Sequence, residues 1–184
     1  MTDTSGHHIV YGMLRDYLTN EELPDTDDER IRQQLARHLV KDLGYSKKEI
    51  EPRLIIPSCF NGNKVQSLVE FTIRIEGKRL FLLRYGPGSL VTREKAAVAA
   101  ARILDPDYRI PLAIVTNGRD AELIETKQGK VVQQGMHCIP HRWEAARLRH
   151  DLVFEPYNNQ EKREQALRIL NMFDTDVCCS GSIC

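Results

Sequence analysis

The sequence predicts an α/β protein in which one mixed sheet carries helices on its faces. Three features point there: a capped helix near the start, three strand-like runs separated by short breaks, and an alanine-rich helix leading back to a buried apolar strand. A strand–helix–strand return of this kind makes the last pair parallel and lays the helix across the sheet.

The elements follow in order. Thr26-Asp27-Asp28-Glu29 is a capping box, and Ile31, Leu35, Leu39 and Leu43 repeat every four residues behind it until Gly44 stops the helix. Ser46-Lys47-Lys48-Glu49 reads as a second, shorter capped turn. Arg53-Leu54-Ile55-Ile56 is a first strand ending near Pro57. Over residues 68–75, Val69, Phe71, Ile73 and Ile75 alternate with Glu70, Thr72, Arg74 and Glu76, the period of a half-buried strand. A three-residue turn at Glu76-Gly77-Lys78 returns the chain into residues 79–85, whose apolar middle predicts a central strand buried on both sides. Gly86-Pro87-Gly88-Ser89 breaks the pattern, and a helix over residues 92–104 follows. Its alanines at 96, 97, 99, 100 and 101 allow close approach to a sheet, and Asp105-Pro106 ends it. Strands are expected over 111–116 and 121–126, with Val131-Val132 beyond a turn. Helical stretches over 143–148 and 158–173 close the chain, and Trp143, Ile169, Leu170 and Phe173 are expected to pack.

Charge is unevenly placed. The 184 residues balance 26 basic against 26 acidic side chains, but residues 1–30 hold two basic and eight acidic ones. Residues 31–150 hold 21 and 12, so a basic body lies between acidic ends and could face an acidic partner such as nucleic acid. At 41% hydrophobic and 28% charged, the composition is that of a folded globular chain. No apolar run is long enough for a bilayer and the start is unlike a signal peptide, so a cytoplasmic protein with no membrane partner is expected. The natural divisions are an acidic extension (1–25), an α/β core (26–135), a helical addition (136–176) and a cysteine-containing tail (177–184).

Asp28-Glu29-Arg30-Ile31-Arg32-Gln33-Gln34-Leu35, Val69-Glu70-Phe71-Thr72-Ile73 and Ile114-Val115-Thr116-Asn117-Gly118 carry a family resemblance. Over residues 27–135 the chain resembles the N-terminal domain family of type I restriction endonuclease R subunits, within the PD-(D/E)XK nuclease-like superfamily. The resemblance implies a core of helix, three-strand meander, crossover helix and return strand. It also implies a Mg²⁺ site built from a second-strand acid and a third-strand Glu-x-Lys. Glu70 stands at the acid position. The third-strand motif falls on Arg84-Tyr85-Gly86, so an arginine replaces the carboxylate and a glycine the lysine. The expected result is a degenerate site in which a Glu70–Arg84 ion pair takes the place of the metal, with no cofactor.

An active alternative needs Glu70 and Glu94 to share Mg²⁺, with Lys95 or Arg93 standing in for the lysine. The loop offers another use: Gly86 and Gly88, before a helix start and beside Arg84, Arg93 and Lys95, could receive a phosphate. Cys178, Cys179 and Cys184 are zinc candidates by residue type, with His137, Cys138 or His141 as a fourth ligand, although adjacent cysteines fit knuckle spacing badly. The readings carried forward are a nucleic-acid or protein binding module, a divergent Mg²⁺-dependent endonuclease, and a structural module. The partner would be DNA, another protein or a second copy of the chain.

Overall fold

The structure, a computed structural model, is described for residues 9–60 and 62–173. The acidic extension forms a hairpin of β1 (Met13–Arg15) and β2 (Glu22–Pro24). It lies against α1 (Asp27–Lys41), where the Thr26 hydroxyl accepts the Glu29 amide at 3.1 Å. The Glu29 side chain turns toward Gln33 and Arg53 instead of back to the cap. Gly44, at φ 81°, lets the chain leave the helix.

A six-stranded sheet follows, its strands ordered across the sheet as they occur in the chain. It contains β3 (Ile50–Phe60), β4 (Asn63–Ile75), β5 (Lys78–Tyr85), β6 (Leu112–Thr116), β7 (Ala121–Glu125) and β8 (Lys130–Gln134). Every pairing is antiparallel except β5 with β6, which α2 (Val91–Ile103) connects as a crossover. The first two strands run longer than their apolar stretches suggested. β3 contains Pro52 and Pro57, which an edge strand tolerates because one row of its backbone groups has no strand partner. Residues 130–134 form a full strand, so three strands follow α2 where the sequence pattern suggested one or two.

Two apolar layers sandwich the sheet. Leu35, Ala36 and Leu39 of α1 pack on Phe71, Ile73, Phe81, Leu83 and Ile114, and Ala145 of α3 (Arg142–Asp151) joins the same layer. On the other face the buried α2 alanines meet Val69, Leu82, Ala113 and Val115, under Ala166 and Leu170 of α4 (Gln160–Phe173). Trp143 corrects the sequence reading. It is 57% exposed and stacks near His141, because the buried stripe of α3 runs through Ala145. Phe173, also expected to pack, is 46% exposed at the end of α4. Among the described residues no helix is long and apolar enough to cross a membrane.

The β4–β5 connection decides what stands beside Glu70. The expected three-residue turn is instead the two-residue Glu76-Gly77 turn, with φ of 49° and 78° and Ile75 paired to Lys78. The register then shifts between Arg74–Arg79 and Ile73–Phe81, leaving Leu80 as an extra residue. Leu80 and Phe81 both join the α1-side layer, as a bulge requires. The shift restores the offset of a three-residue turn as far as the last pair, Phe71–Leu83. Beyond it Val69 joins the α2-side layer while Phe71 stays in the α1-side one, and Glu70 and Arg84 are not a ladder pair.

Candidate functional site

Glu70 is the centre of the candidate site and is only 3% exposed. Where the β4–β5 ladder ends, its carboxylate replaces a backbone acceptor, taking the Tyr85 amide on Oε2 at 3.0 Å. Burial pushes its pKa above the ordinary carboxylate value. The charge of Arg84 opposes that most strongly, followed by Arg32 and the Tyr85 N–H. Among the described residues the ion-pair contact at Glu70 comes from Arg32 of α1, whose Nε lies 3.5 Å from Oε1, and not from the expected Arg84, which acts on Glu70 through its charge.

Arg32 was not among the residues expected at the site. It occupies the polar flank of an amphipathic helix, where sequence periodicity assigns only exposure. Its guanidinium also meets Glu29 at 3.5 Å and lies 5.7 Å from the centre of the Tyr85 ring. The Tyr85 hydroxyl donates to Asp28 at 3.1 Å, and burial with the Asp28 charge pushes its pKa up to about 12.

The third-strand lysine position is occupied in another way. Gly86 carries no side chain, and a Cβ built there would lie 2.1 Å from Arg93 Cζ. The Arg93 guanidinium, reaching back from the first turn of α2, therefore fills the space that a side chain at 86 would enter. It donates to the Pro87 carbonyl at 2.9 Å. Asn117 Nδ2 donates to the Gly88 carbonyl at 3.1 Å, and Thr92 Oγ1 to that of Ser89 at 2.9 Å. Three successive loop carbonyls are thus held by protein donors. The Thr116-Asn117-Gly118 stretch acts as a brace: the Thr116 hydroxyl accepts the Gly118 amide while Asn117 Oδ1 accepts those of Arg119 and Asp120. Arg84, Tyr85, Arg93, Ala96 and Phe173 line a narrow crevice beside this loop.

Glu94 and Lys95 face elsewhere. Burial raises the Glu94 pKa, and so do the charge and a hydrogen bond of Glu122, with Lys95 opposing them. Glu122 pairs with Val115, which pairs with Arg84, so Glu122 lies three strands along the sheet from Glu70. At the ordinary inter-strand spacing that is roughly 14 Å, too far for two carboxylates on one Mg²⁺. The Lys95 ammonium lies 5.7 Å from the centre of the Phe173 ring. As a divalent-cation site the residues around Glu70 do not fit, since one carboxylate is flanked by guanidinium groups. Among the described residues no cluster of three or more His, Cys, Asp or Glu could hold a metal ion.

Cys138 is buried, and desolvation pushes its thiol up to about 12, which keeps it protonated and unreactive. His141 caps α3, its amide bonded to Glu144. Cys178, Cys179 and Cys184 lie outside the described residues.

The family model for the type I restriction enzyme R protein N terminus matches residues 27–140. No curated protein and no solved structure matches the chain.

Proposed function

The chain belongs to the family of type I restriction enzyme R protein N termini, and from that premise we propose a nuclease-fold module that binds the phosphodiester backbone with guanidinium groups in place of a metal. The core would be of the PD-(D/E)XK type, an assignment supported by the helix, antiparallel meander, crossover helix and parallel return strand. The observation that carries the reading is Arg93 filling the side-chain space at Gly86. With Arg84 and Arg32 near Glu70, cations gather where the family pattern implies a metal. Guanidinium planes suit bidentate recognition of phosphate oxygens.

Fluorescence anisotropy with labelled single- and double-stranded DNA in EDTA tests this. Saturable binding should weaken steeply with salt, and Arg93→Ala should lower affinity and reduce the salt slope by about one. Binding that ignores both salt and Arg93→Ala overturns it. The divergent-endonuclease alternative predicts Mn²⁺-dependent nicking of plasmid that Glu70→Ala abolishes. The contact of Glu94 with Glu122 weighs against Glu94 as its second carboxylate.

A further inference from the structure

Residues 9–25 precede the family match and carry four acidic residues against one basic. They do not trail into solvent but lie along one stripe of α1 and the 3₁₀ turn after it. Tyr17 and Leu18 pack on the α1-side layer, the Tyr17 amide donates to Gln33 Oε1 at 2.7 Å, and further contacts engage cations. The Arg30 guanidinium lies 4.4 Å from the centre of the Tyr11 ring and makes a two-point contact with Asp25 at 2.6 and 2.8 Å. The Tyr17 ring lies 5.5 Å from Arg37 and 4.2 Å from Lys47, and Lys47 also donates to the Tyr17 carbonyl. Arg53, at φ 52° on β3, bonds to Asp16.

Asp16 is the lock. At 2% exposure it accepts the Leu18 and Thr19 amides at 2.7 and 2.6 Å, Gln33 Nε2 at 2.8 Å, and Arg53. Burial would raise its pKa, but Arg53, the Thr19 amide and Gln33 outweigh that and hold it well below the usual carboxylate range. Arg53 runs on to Glu29 at 3.0 Å, and Glu29 to Arg32, which reaches Glu70. One chain of alternating charges therefore ties the N-terminal segment to the candidate site. Apart from Asp16, Gln33 and the partly buried Tyr17 and Leu18, the contacts with cations are surface ones, each worth about 1 kcal/mol or less.

The pattern of the cover identifies what it displaces. Aromatic rings stacked over guanidinium and ammonium groups, with carboxylates bonded between them, reproduce the bases and phosphates of a nucleic-acid strand. We propose that Arg30, Arg37, Lys47 and Arg53 form a second nucleic-acid surface, which residues 9–25 occupy as an intramolecular mimic. Held on the same chain, the segment competes at an effective concentration of order millimolar, so weak contacts suffice to mask the surface. This deepens the nucleic-acid reading above and rests on it for the class of ligand.

The test uses the full chain in EDTA, with labelled 20-nucleotide single-stranded DNA, duplex DNA and single-stranded RNA of one sequence. Asp16→Asn weakens the lock, and faster tryptic cleavage after Arg15 reports release. Affinity for one or more of the probes should rise about tenfold, and adding Arg37→Ala and Lys47→Ala should remove the gain. Tyr11→Ala removes an exposed ring that packs on neither core layer, leaves the lock in place, and should give a smaller gain of about twofold. Faster cleavage without tighter binding overturns the proposal, as does a gain that survives Arg37→Ala and Lys47→Ala. The two readings separate. Wild-type binding that depends on Arg93, with no gain on release, rejects the mask and keeps the site at Gly86. Binding that appears only on release and needs Arg37 and Lys47 does the reverse.

Discussion

Glu70 and Glu94 are both glutamates that burial drives toward the neutral form, and they meet opposite neighbours. Glu70 has an ion-pair contact with Arg32, the Tyr85 amide and the nearby charge of Arg84. Glu94 has another carboxylate, Glu122, whose Oε1 is already taken by Gln134 at 3.0 Å. The first is a buried charge partly offset by cations, and its surroundings resist a second cation. The second is a repelling acid pair relieved by a proton. The family resemblance and their places in the chain made both of them metal-ligand candidates. What separates them is the sign of the charge that other elements bring, and that sign decides which chemistry each can support.

The largest effect should come from exposing the buried charge of Glu70 to less compensation. Arg84→Ala removes the strongest opposition to Glu70 burial and should cost about 3–5 kcal/mol in urea unfolding. Adding Glu70→Gln should recover a good part of that, because the uncompensated charge leaves with it. A double-mutant cycle with no coupling would mean that Arg84 acts through other contacts.

A smaller effect is expected at the space shared by Gly86 and Arg93. Gly86→Ala places a methyl group where the guanidinium lies, and the flexible arginine can swing away. The stability cost should therefore be about 1 kcal/mol or less, while DNA affinity should fall as far as in Arg93→Ala. Loss of affinity in Arg93→Ala alone would show that the position of the guanidinium is unimportant.

The acid pair gives the smallest effect and the opposite sign. The Glu94 carboxyl binds its proton more tightly in the folded chain than at its ordinary 4.5. The folded state therefore holds more protons above that value, and stability falls as pH rises through the raised pKa. Glu94→Gln should remove its share of this slope, leaving that of Glu70, and stabilise the protein at neutral pH by less than ~1 kcal/mol since the group is largely solvated. An unchanged pH profile of thermal unfolding would show that the pair is not coupled.

The fold was legible wherever a local pattern sufficed. The Thr26 cap, the four-residue stripe of α1 and the small residues of α2 each follow from local helix patterns. The half-buried alternation expected of β4 does not hold, since residues 69–73 are all buried and Val69 lies in the layer opposite Phe71. Strand ends were less legible, because β3 and β4 extend by backbone pairing along an edge where side-chain pattern says little. The offset of β4 against β5 followed from the wrong turn. A two-residue turn and a bulge at Leu80 sum to the same offset as three loop residues.

The α/β class, the family and the residues at 70, 84 and 86 can be read from the chain because they reside in local spacing and residue identity. Which charges meet depends on the packed fold. Arg32 reaches Glu70 across 38 positions of chain, Arg93 folds back into the space Gly86 leaves, and Asp16 closes on Arg53 across 37. Long flexible side chains carry charge far from their backbones, so their partners are fixed by the packing of α1, α2 and the N-terminal hairpin against the sheet. Their order in the chain does not specify that packing.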